Sequence, residues 1–213
     1  MITSEAEARD WLRTLPECDD AAMARLVRLA ELLNAENDRQ NLVSSASLME
    51  VWQRHIADSA QLLNFVPRET GSPWLDLGTG AGFPGLVVSA LRPECAVIMV
   101  ESRALRSDWL ERASAELALD NAVIVRAPIE QFEARAMGVI SARAFAPLDR
   151  LLKLSARFST ADTAWLLPKG RSARQELQTL HGWNHLFHVE QSLTDKDAGI
   201  IVGRLLGRKG RTP

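Results

Sequence analysis

The stretch Trp74-Leu75-Asp76-Leu77-Gly78-Thr79-Gly80-Ala81-Gly82-Phe83-Pro84-Gly85 constrains the fold of this 213-residue chain more than any other segment. A short apolar run ends in a glycine-dense turn, and a helical pattern follows at once. Four glycines within eight residues are costly in conformational entropy, and they suit a turn that needs positive φ and a close backbone approach by a ligand. Pro84 fits the first helical position, where its missing N–H does no harm. A strand, a glycine turn and a helix in that order open a βαβ unit.

The rest of the chain after residue 73 continues that alternation. Strand-like runs are Trp74–Leu77, Ala96–Val100, Ala122–Val125, Val139–Ser141 and Ala164–Leu167. Helical stretches between them are Pro84–Leu91, Arg103–Leu117, Ile129–Arg135, Pro147–Phe158 and Ser172–Leu180. Two last runs, Leu186–Gln191 and Gly199–Leu206, read as an antiparallel hairpin. The pattern predicts an α/β fold with a doubly wound, mostly parallel sheet. Gly207 to Pro213 read as a basic tail. The first 70 residues are helical instead. Thr3 or Ser4 caps a helix with Glu5 and Glu7 in its first turn. Ala22–Asn37 repeats apolar residues at helical spacing. Ser47–Phe65 reads as a third helix. Glu69-Thr70-Gly71-Ser72-Pro73 is the expected joint, so residues 1–70 form a helical extension and 71–213 the core.

The glycine loop narrows the ligand. Gly80-x-Gly82-x-x-Gly85 alone matches a dinucleotide fingerprint. Gly78 extends it to Asp-x-Gly-x-Gly-x-Gly, and Asp76 at the strand end suits a cationic ligand better than a pyrophosphate. S-adenosylmethionine carries an amino group and a sulfonium and meets that requirement. Glu101 ends the second strand, where an acidic residue commonly holds ribose hydroxyls. Pairing with Arg103 or Arg106 is the competing role. Ile129, after the third strand, can give apolar contact to an adenine.

Composition sets the surroundings. The two cysteines, Cys18 and Cys95, form no CxxC pair, so a zinc ribbon and a thioredoxin-like site are excluded. No run of 18 apolar residues occurs, and the acidic start is not a secretory signal. A reduced, cytoplasmic setting without a membrane is expected. The spacing of His181, His185 and His188 does not suit a metal. Net charge is −2, but residues 134–213 carry +7, and arginines outnumber lysines 21 to 4. An arginine-rich half can face phosphate, while a solvated surface is the alternative.

Several motifs occur together in one order. They are Asn41-Leu42-Val43-Ser44, Arg54-His55-Ile56-Ala57-Asp58-Ser59, the glycine loop, Glu101-Ser102, Ser141-Ala142-Arg143-Ala144 and Pro168-Lys169-Gly170. In these the chain resembles the bacterial 16S ribosomal RNA guanine-N7 methyltransferases, also called glucose-inhibited division protein B, over roughly Asn37 to Arg174. The resemblance implies a class I, Rossmann-like methyltransferase: a seven-stranded sheet with an antiparallel C-terminal hairpin and an N-terminal helical extension. It implies S-adenosylmethionine as donor, S-adenosylhomocysteine as product, and guanosine 527 in the 530 loop of 16S rRNA, or of the 30S subunit, as acceptor. Carried over by position, Gly78, Phe83, Ile129, Glu130 and Arg143 line the donor site, beside Asp76, Gly80 and Glu101. The segment Leu105–Leu110 departs from the family pattern, where a Lys-Arg pair and a Phe are common.

Guanine N7 is a free lone pair, so alignment and exclusion of water suffice and no general base is obligatory. The Asn/Asp-Pro-Pro-aromatic run typical of exocyclic amine methylation is absent. Neither cysteine is placed for pyrimidine C5 chemistry. Arg143, after the fourth strand, is the expected catalytic residue, positioning the guanine or the donor. Arg54, His55 and Asp58 are expected to close over the RNA. Lys169 and Arg171 are expected to meet phosphate. Phe145 either stacks on a base or belongs to the core. A monomer is expected. The rivals are a methyltransferase acting on a small molecule or protein, an inactive RNA-binding module, and a nicotinamide oxidoreductase.

Overall fold

The computed structural model describes residues 1–70 and 73–210. The expected joint at Gly71 and Ser72 therefore lies outside the described residues, as do the last three residues of the tail. Helix α1 (Glu5–Arg13) is capped by Ser4, whose hydroxyl accepts from Glu7 N. Helix α2 (Asp20–Gln40) is capped by Asp19 and ends at Asn41 in left-handed geometry. Leu26, Leu29 and Leu33 are its buried stripe.

The expected third helix is not continuous. It divides into α3 (Ser45–Met49), a π-helical turn (Trp52–Ala57), α4 (Asp58–Ala60) and a 3-10 turn (Gln61–Phe65). The reason lies far away in sequence. The carboxylate of Glu5 accepts from the backbone N–H groups of Trp52 and Gln53, at 3.0 and 2.8 Å. It thereby caps a second start inside the segment.

The alternating elements follow as β1 (Trp74–Leu77), α5 (Gly85–Leu91), β2 (Val97–Glu101), α6 (Ala104–Glu116), β3 (Ala122–Arg126), β4 (Val139–Ser141), α7 (Leu148–Ser155), β5 (Ala164–Gly170) and α8 (Ala173–Gln178). The chain then forms β6 (Trp183–His185), β7 (His188–Gln191), β8 (Gly199–Gly203) and β9 (Leu205–Arg208). The main sheet has seven strands in the order β3-β2-β1-β4-β5-β8-β7. Strands β1 to β5 run parallel, and β8 is antiparallel to both β5 and β7. The doubly wound sheet with its antiparallel end is as the sequence predicts.

Two details differ. The expected helix Ile129–Arg135 is a single turn, Ile129–Gln131. Arg157 donates to the carbonyls of Ile129 and Phe132, which a longer helix would use internally. The terminal hairpin also splits, because β6 and β9 leave the main sheet and pair with each other. The split falls at Gly203, where φ is 144° and an added Cβ would meet Leu186 O at 2.3 Å. The tail is thus ordered into β9 as far as Arg208.

Strand periodicity makes two cores. Trp74, Val97, Met99, Val139 and Leu166 face α1, α2, α5 and α6. Leu75, Leu77, Ile98, Val100, Ile140 and Trp165 face α7 and α8. Alternate residues of one strand thus enter opposite cores, as a sheet covered on both faces requires. The helical extension is part of the first core. It is also bonded to the β7–β8 connection, where Gln61 Oε1 accepts from Leu193 N at 2.7 Å and Ile2 N donates to Leu193 O at 2.7 Å. No helix among the described residues is long and apolar enough to cross a membrane.

Candidate functional site: two cavities at the switch point

Strand order reverses between β1 and β4. Open α/β sheets bind ligands at such a point, beyond the carboxyl ends of the strands. The turn after β1 holds Gly78, Gly80 and Gly82 at φ 62°, 60° and 100°. The glycines therefore serve the backbone conformation that the sequence implied. Glu101 ties this loop down. Its Oε2 accepts from Gly80 N at 3.1 Å, and its Oε1 accepts from Arg103 N at 2.8 Å. The competing role of pairing with an arginine side chain is replaced by a cap on the start of α6. Each carboxylate oxygen keeps a further acceptor direction.

Asp76 is fully buried. Its Oδ1 accepts from Ser141 Oγ at 2.8 Å, its Oδ2 from Gly85 N at 3.0 Å, and Trp74 Nε1 donates to the same serine. Burial raises its pKa, while the hydrogen bonds from Ser141 and Gly85 and the charge of Arg143 pull the other way. Asp76 thus bonds the β1–α5 turn to the end of β4 from inside, rather than standing open at the strand tip. Ser141 is the partner that the sequence reading left without a role, and only its pairing register with Asp76 reveals it.

One cavity, about 330 Å³, lies against the glycine loop and is lined by Gly78, Glu101, Arg106, Ile129, Glu130 and Phe145, among others. Four of the residues expected at the donor site therefore share one wall. Gly80 lies just beside it, under Arg106, whose Nη1 is 3.4 Å from where a Gly80 Cβ would stand. Phe83 and Arg143 belong to a neighbouring cluster. The Phe83 ring is buried, stacked on His55 with centroids 5.0 Å apart, and Arg143 lies over it at 5.2 Å.

The second cavity, about 830 Å³, is lined by Arg54, His55, Asp58, Arg143, Phe145 and Lys169, with residues of the β7–β8 connection closing it. Arg143 organises one side. Its guanidinium donates to Arg54 O at 3.1 Å and to Asp58 Oδ2 at 3.3 Å, and lies 3.0 Å from His55 Nδ1. Arg143 has no acceptor atom, so His55 Nδ1 accepts and its proton sits on Nε2. Burial first, then the charges of Arg143 and Arg54, lowers the His55 pKa to about 3. His55 is neutral at physiological pH. Asp58 Oδ1 accepts further from Thr194 Oγ1 and Gln61 Nε2, both at 2.8 Å. Arg54, His55 and Asp58, expected together, all line this cavity, and Arg143, expected separately after the fourth strand, bonds to each of them.

Lys169 differs from the expectation of a free phosphate contact. Its ammonium is 3.0 Å from Glu176 Oε2 and donates to Ala146 O. Glu176 Oε2 also accepts from Leu148 N at 2.7 Å, and Oε1 from Ser172 Oγ at 2.6 Å. Burial acts to raise the Glu176 pKa, but those hydrogen bonds outweigh it and the value falls below the ordinary one. Arg171, expected to meet phosphate, is exposed and lies 3.5 Å from Asp197. Glu176 escaped the sequence reading because an acidic residue on a short helix carries no signal of its own.

The family described as rRNA small subunit methyltransferase G matches residues 22–197. A protein of Novosphingobium aromaticivorans named ribosomal RNA small subunit methyltransferase G is 57% identical, over 100% of this chain and 93% of its own length. One of the same name from Erythrobacter litoralis is 58% identical over 96% of this chain and 98% of its own. Solved structures share the fold at low identity. A putative O-methyltransferase from Klebsiella pneumoniae has TM-score 0.61 at 13% identity, covering 93% of this chain and 96% of its own. Aeropyrum pernix fibrillarin, solved with natively bound S-adenosyl-L-methionine, has TM-score 0.55 at 16% identity, covering 71% and 75%.

Proposed function

Since this chain belongs to the rRNA small subunit methyltransferase G family, we propose that it transfers a methyl group from S-adenosylmethionine to N7 of a guanine in 16S rRNA, guanosine 527 of the 530 loop by the resemblance in its motifs. The carrying observation is the pair of cavities that meet along Ala144, Phe145 and Ala146. One suits a nucleoside donor, and the other offers a larger space, lined by paired arginine, lysine and carboxylate side chains, for a nucleotide.

The donor fits the first cavity on three counts. The glycine loop presents backbone without side chains. Glu101 and Glu130 can accept from hydroxyls, and Ile129 offers an apolar surface to a purine. When bound, the donor supplies an electrophilic methyl for in-line displacement. The residues of this chain then hold, orient and exclude water. Arg143, held by His55, Asp58 and Arg54 O, positions the acceptor at the junction, and Phe83 supports it from below. Arg54 and Arg171 expose guanidinium groups able to meet phosphate.

The pairing of the nearby side chains supports N7 as the acceptor atom. Each carboxylate named around the second cavity is already engaged: Asp58 by Arg143, Asp195 by Arg54, Glu176 by Lys169. His55 Nδ1 is engaged by Arg143. This set supplies no poised base. A guanine N7 lone pair needs none, whereas an exocyclic amine must lose a proton.

The test is transfer of labelled methyl from S-adenosylmethionine to unmodified 30S subunits and to naked 16S rRNA, followed by nucleoside analysis. Labelled 7-methylguanosine is the expected product. Labelled RNA carrying another nucleoside would refute N7. Donor binding without RNA label would move the substrate to a protein or small molecule.

A further inference from the structure

The two cavities share a wall made by Ala144, Phe145 and Ala146. The contact that closes this wall is the Phe145 ring against Gly78. A Cβ placed on Gly78 would lie 2.3 Å from Phe145 Cδ2 and 3.0 Å from Cε2. The ring therefore rests on the bare backbone of the glycine loop. Ala144, at φ 53°, takes the left-handed conformation that turns the chain back toward Gly78. That conformation is uncommon for a residue with a side chain.

We propose that Phe145 is a movable partition between donor and acceptor cavities, and that Lys169 and Glu176 are positioning residues that fix the far end of the segment carrying it. The inference rests on the donor reading of the first cavity. A methyl cannot pass from one cavity to the other while the ring lies on Gly78. The first cavity is also small, near the lower end of the roughly 300–1,000 Å³ common for ligand sites, and Phe145 fills part of the space beside the loop. Turning the ring off Gly78 enlarges the donor cavity and joins it to the acceptor cavity in one movement.

The segment has one held end and one end set by Arg143. Lys169 grasps Ala146 O, and Glu176 takes Leu148 N while pairing with Lys169. Residues 146 and 148 are thus tied to β5 and α8. On the other side, Arg143 is bound to the helical extension. Between these anchors the side chains of Ala144 and Phe145 carry no polar atom that could bond them in place, so rotation at Ala144 can move the ring. Lys169 and Glu176 limit that motion to the ring and its neighbour instead of the whole start of α7.

The experiment measures binding of S-adenosylhomocysteine to the full chain by calorimetry, and methyl transfer to 30S subunits, for the wild type and for F145A, F145L, K169M and K169M/F145A. If the ring blocks the donor cavity, the apparent affinity is reduced by the fraction of molecules that are open. Phe145→Ala then tightens S-adenosylhomocysteine binding roughly three- to tenfold without RNA, from the loss of one aromatic contact. F145L lies between, and serves as the folded comparison should F145A melt early. K169M should lower kcat for transfer more than it raises KM for 30S subunits. In the F145A background that effect should largely vanish, because a freed segment carries no ring to misplace. Equal or weaker binding by F145A and F145L than by the wild type overturns the partition while leaving the donor reading intact. Additive K169M and F145A effects on kcat overturn the positioning role. Absence of binding by all forms overturns the donor reading itself, and the partition with it.

Discussion

Arg143→Ala removes the guanidinium at the centre of the second cavity, and its consequence can be worked from the contacts. Two hydrogen bonds to neutral acceptors, Arg54 O and His55 Nδ1, are lost, each a net contribution of about 1 kcal/mol. The His55 nitrogen is buried and would be left without its donor, which adds about 1 kcal/mol or more. The ion pair with Asp58 adds less. Both side chains are 20% exposed, and Asp58 keeps Thr194 and Gln61, so its share is up to about 1 kcal/mol. The sum is about 3–4 kcal/mol. A chain of this size shifts its Tm by roughly 2–4 °C per kcal/mol, so R143A should melt about 5–15 °C lower and still be folded at 25 °C. Methyl transfer should fall by at least about a hundredfold, the scale of a misaligned acceptor. R143K should regain part of the stability and little of the transfer, since one ammonium cannot reach three acceptors in the geometry of a planar fork. Thermal melting and single-turnover transfer to 30S subunits measure the two effects separately. Wild-type turnover in R143A would remove Arg143 from the reaction. An unchanged Tm would show that the network does not hold the cavity.

Four further outcomes follow from the same structure. Gly80→Asp should abolish S-adenosylhomocysteine binding with a modest drop in Tm, because a side chain strains the φ of 60° there and sets a carboxylate beside Glu101, although the new Cβ meets nothing closer than Arg106 Nη1 at 3.4 Å; calorimetry showing wild-type affinity would refute the donor site. Gly78→Asp should lose donor binding too, with a larger drop in Tm, because its Cβ collides with Phe145. His55 has a folded pKa of about 3 against an ordinary 6.5, so as pH falls below about 6.5 the unfolded chain takes up a proton that the native state refuses, and stability falls by up to about 1.4 kcal/mol per pH unit. H55Q should therefore lose Tm less steeply than the wild type between about pH 6.5 and 4.5, and equal slopes would refute a neutral buried His55. Glu17→Ala breaks the buried pair with Arg92, 3.2 Å apart with side chains 7% and 4% exposed, and should cost about 3–5 kcal/mol in urea unfolding; a loss below about 1 kcal/mol would show that this pair does not bind the extension to the core.

The strands were legible because a sheet covered on both faces demands apolar residues at every position, and short unbroken runs between glycines and helices leave few other readings. Residues Trp74–Leu77 and Val139–Ser141 are strands with the limits that the runs predict. The glycine loop was legible for a similar reason, since few other folds require that many positive φ angles in one turn. What could not be read depended on partners distant in sequence. The break in Ser47–Phe65 comes from the Glu5 carboxylate, and the shortened helix at Ile129 from Arg157. Lys169 looked like a phosphate contact because its position after a strand was visible. Its partner Ala146 O is a backbone atom, and no residue type announces it.

That limit bears on how the second cavity is built. Arg143 comes from the end of β4, while Arg54, His55 and Asp58 come from the helical extension, and Thr194 from the β7–β8 connection. Without the extension, Arg143 would face solvent and have no fixed direction. Without Arg143, His55 would lose both the donor at Nδ1 and one of the charges that keep it neutral. The extension therefore supplies the counterparts that orient Arg143, and the core supplies the residue they orient. The stretches on either side of the expected joint at Glu69–Pro73 thus contribute side chains to one site. The neutral histidine is the clearest product of that union, because its low pKa needs burial by the extension's own packing and the positive charge of an arginine 88 residues away.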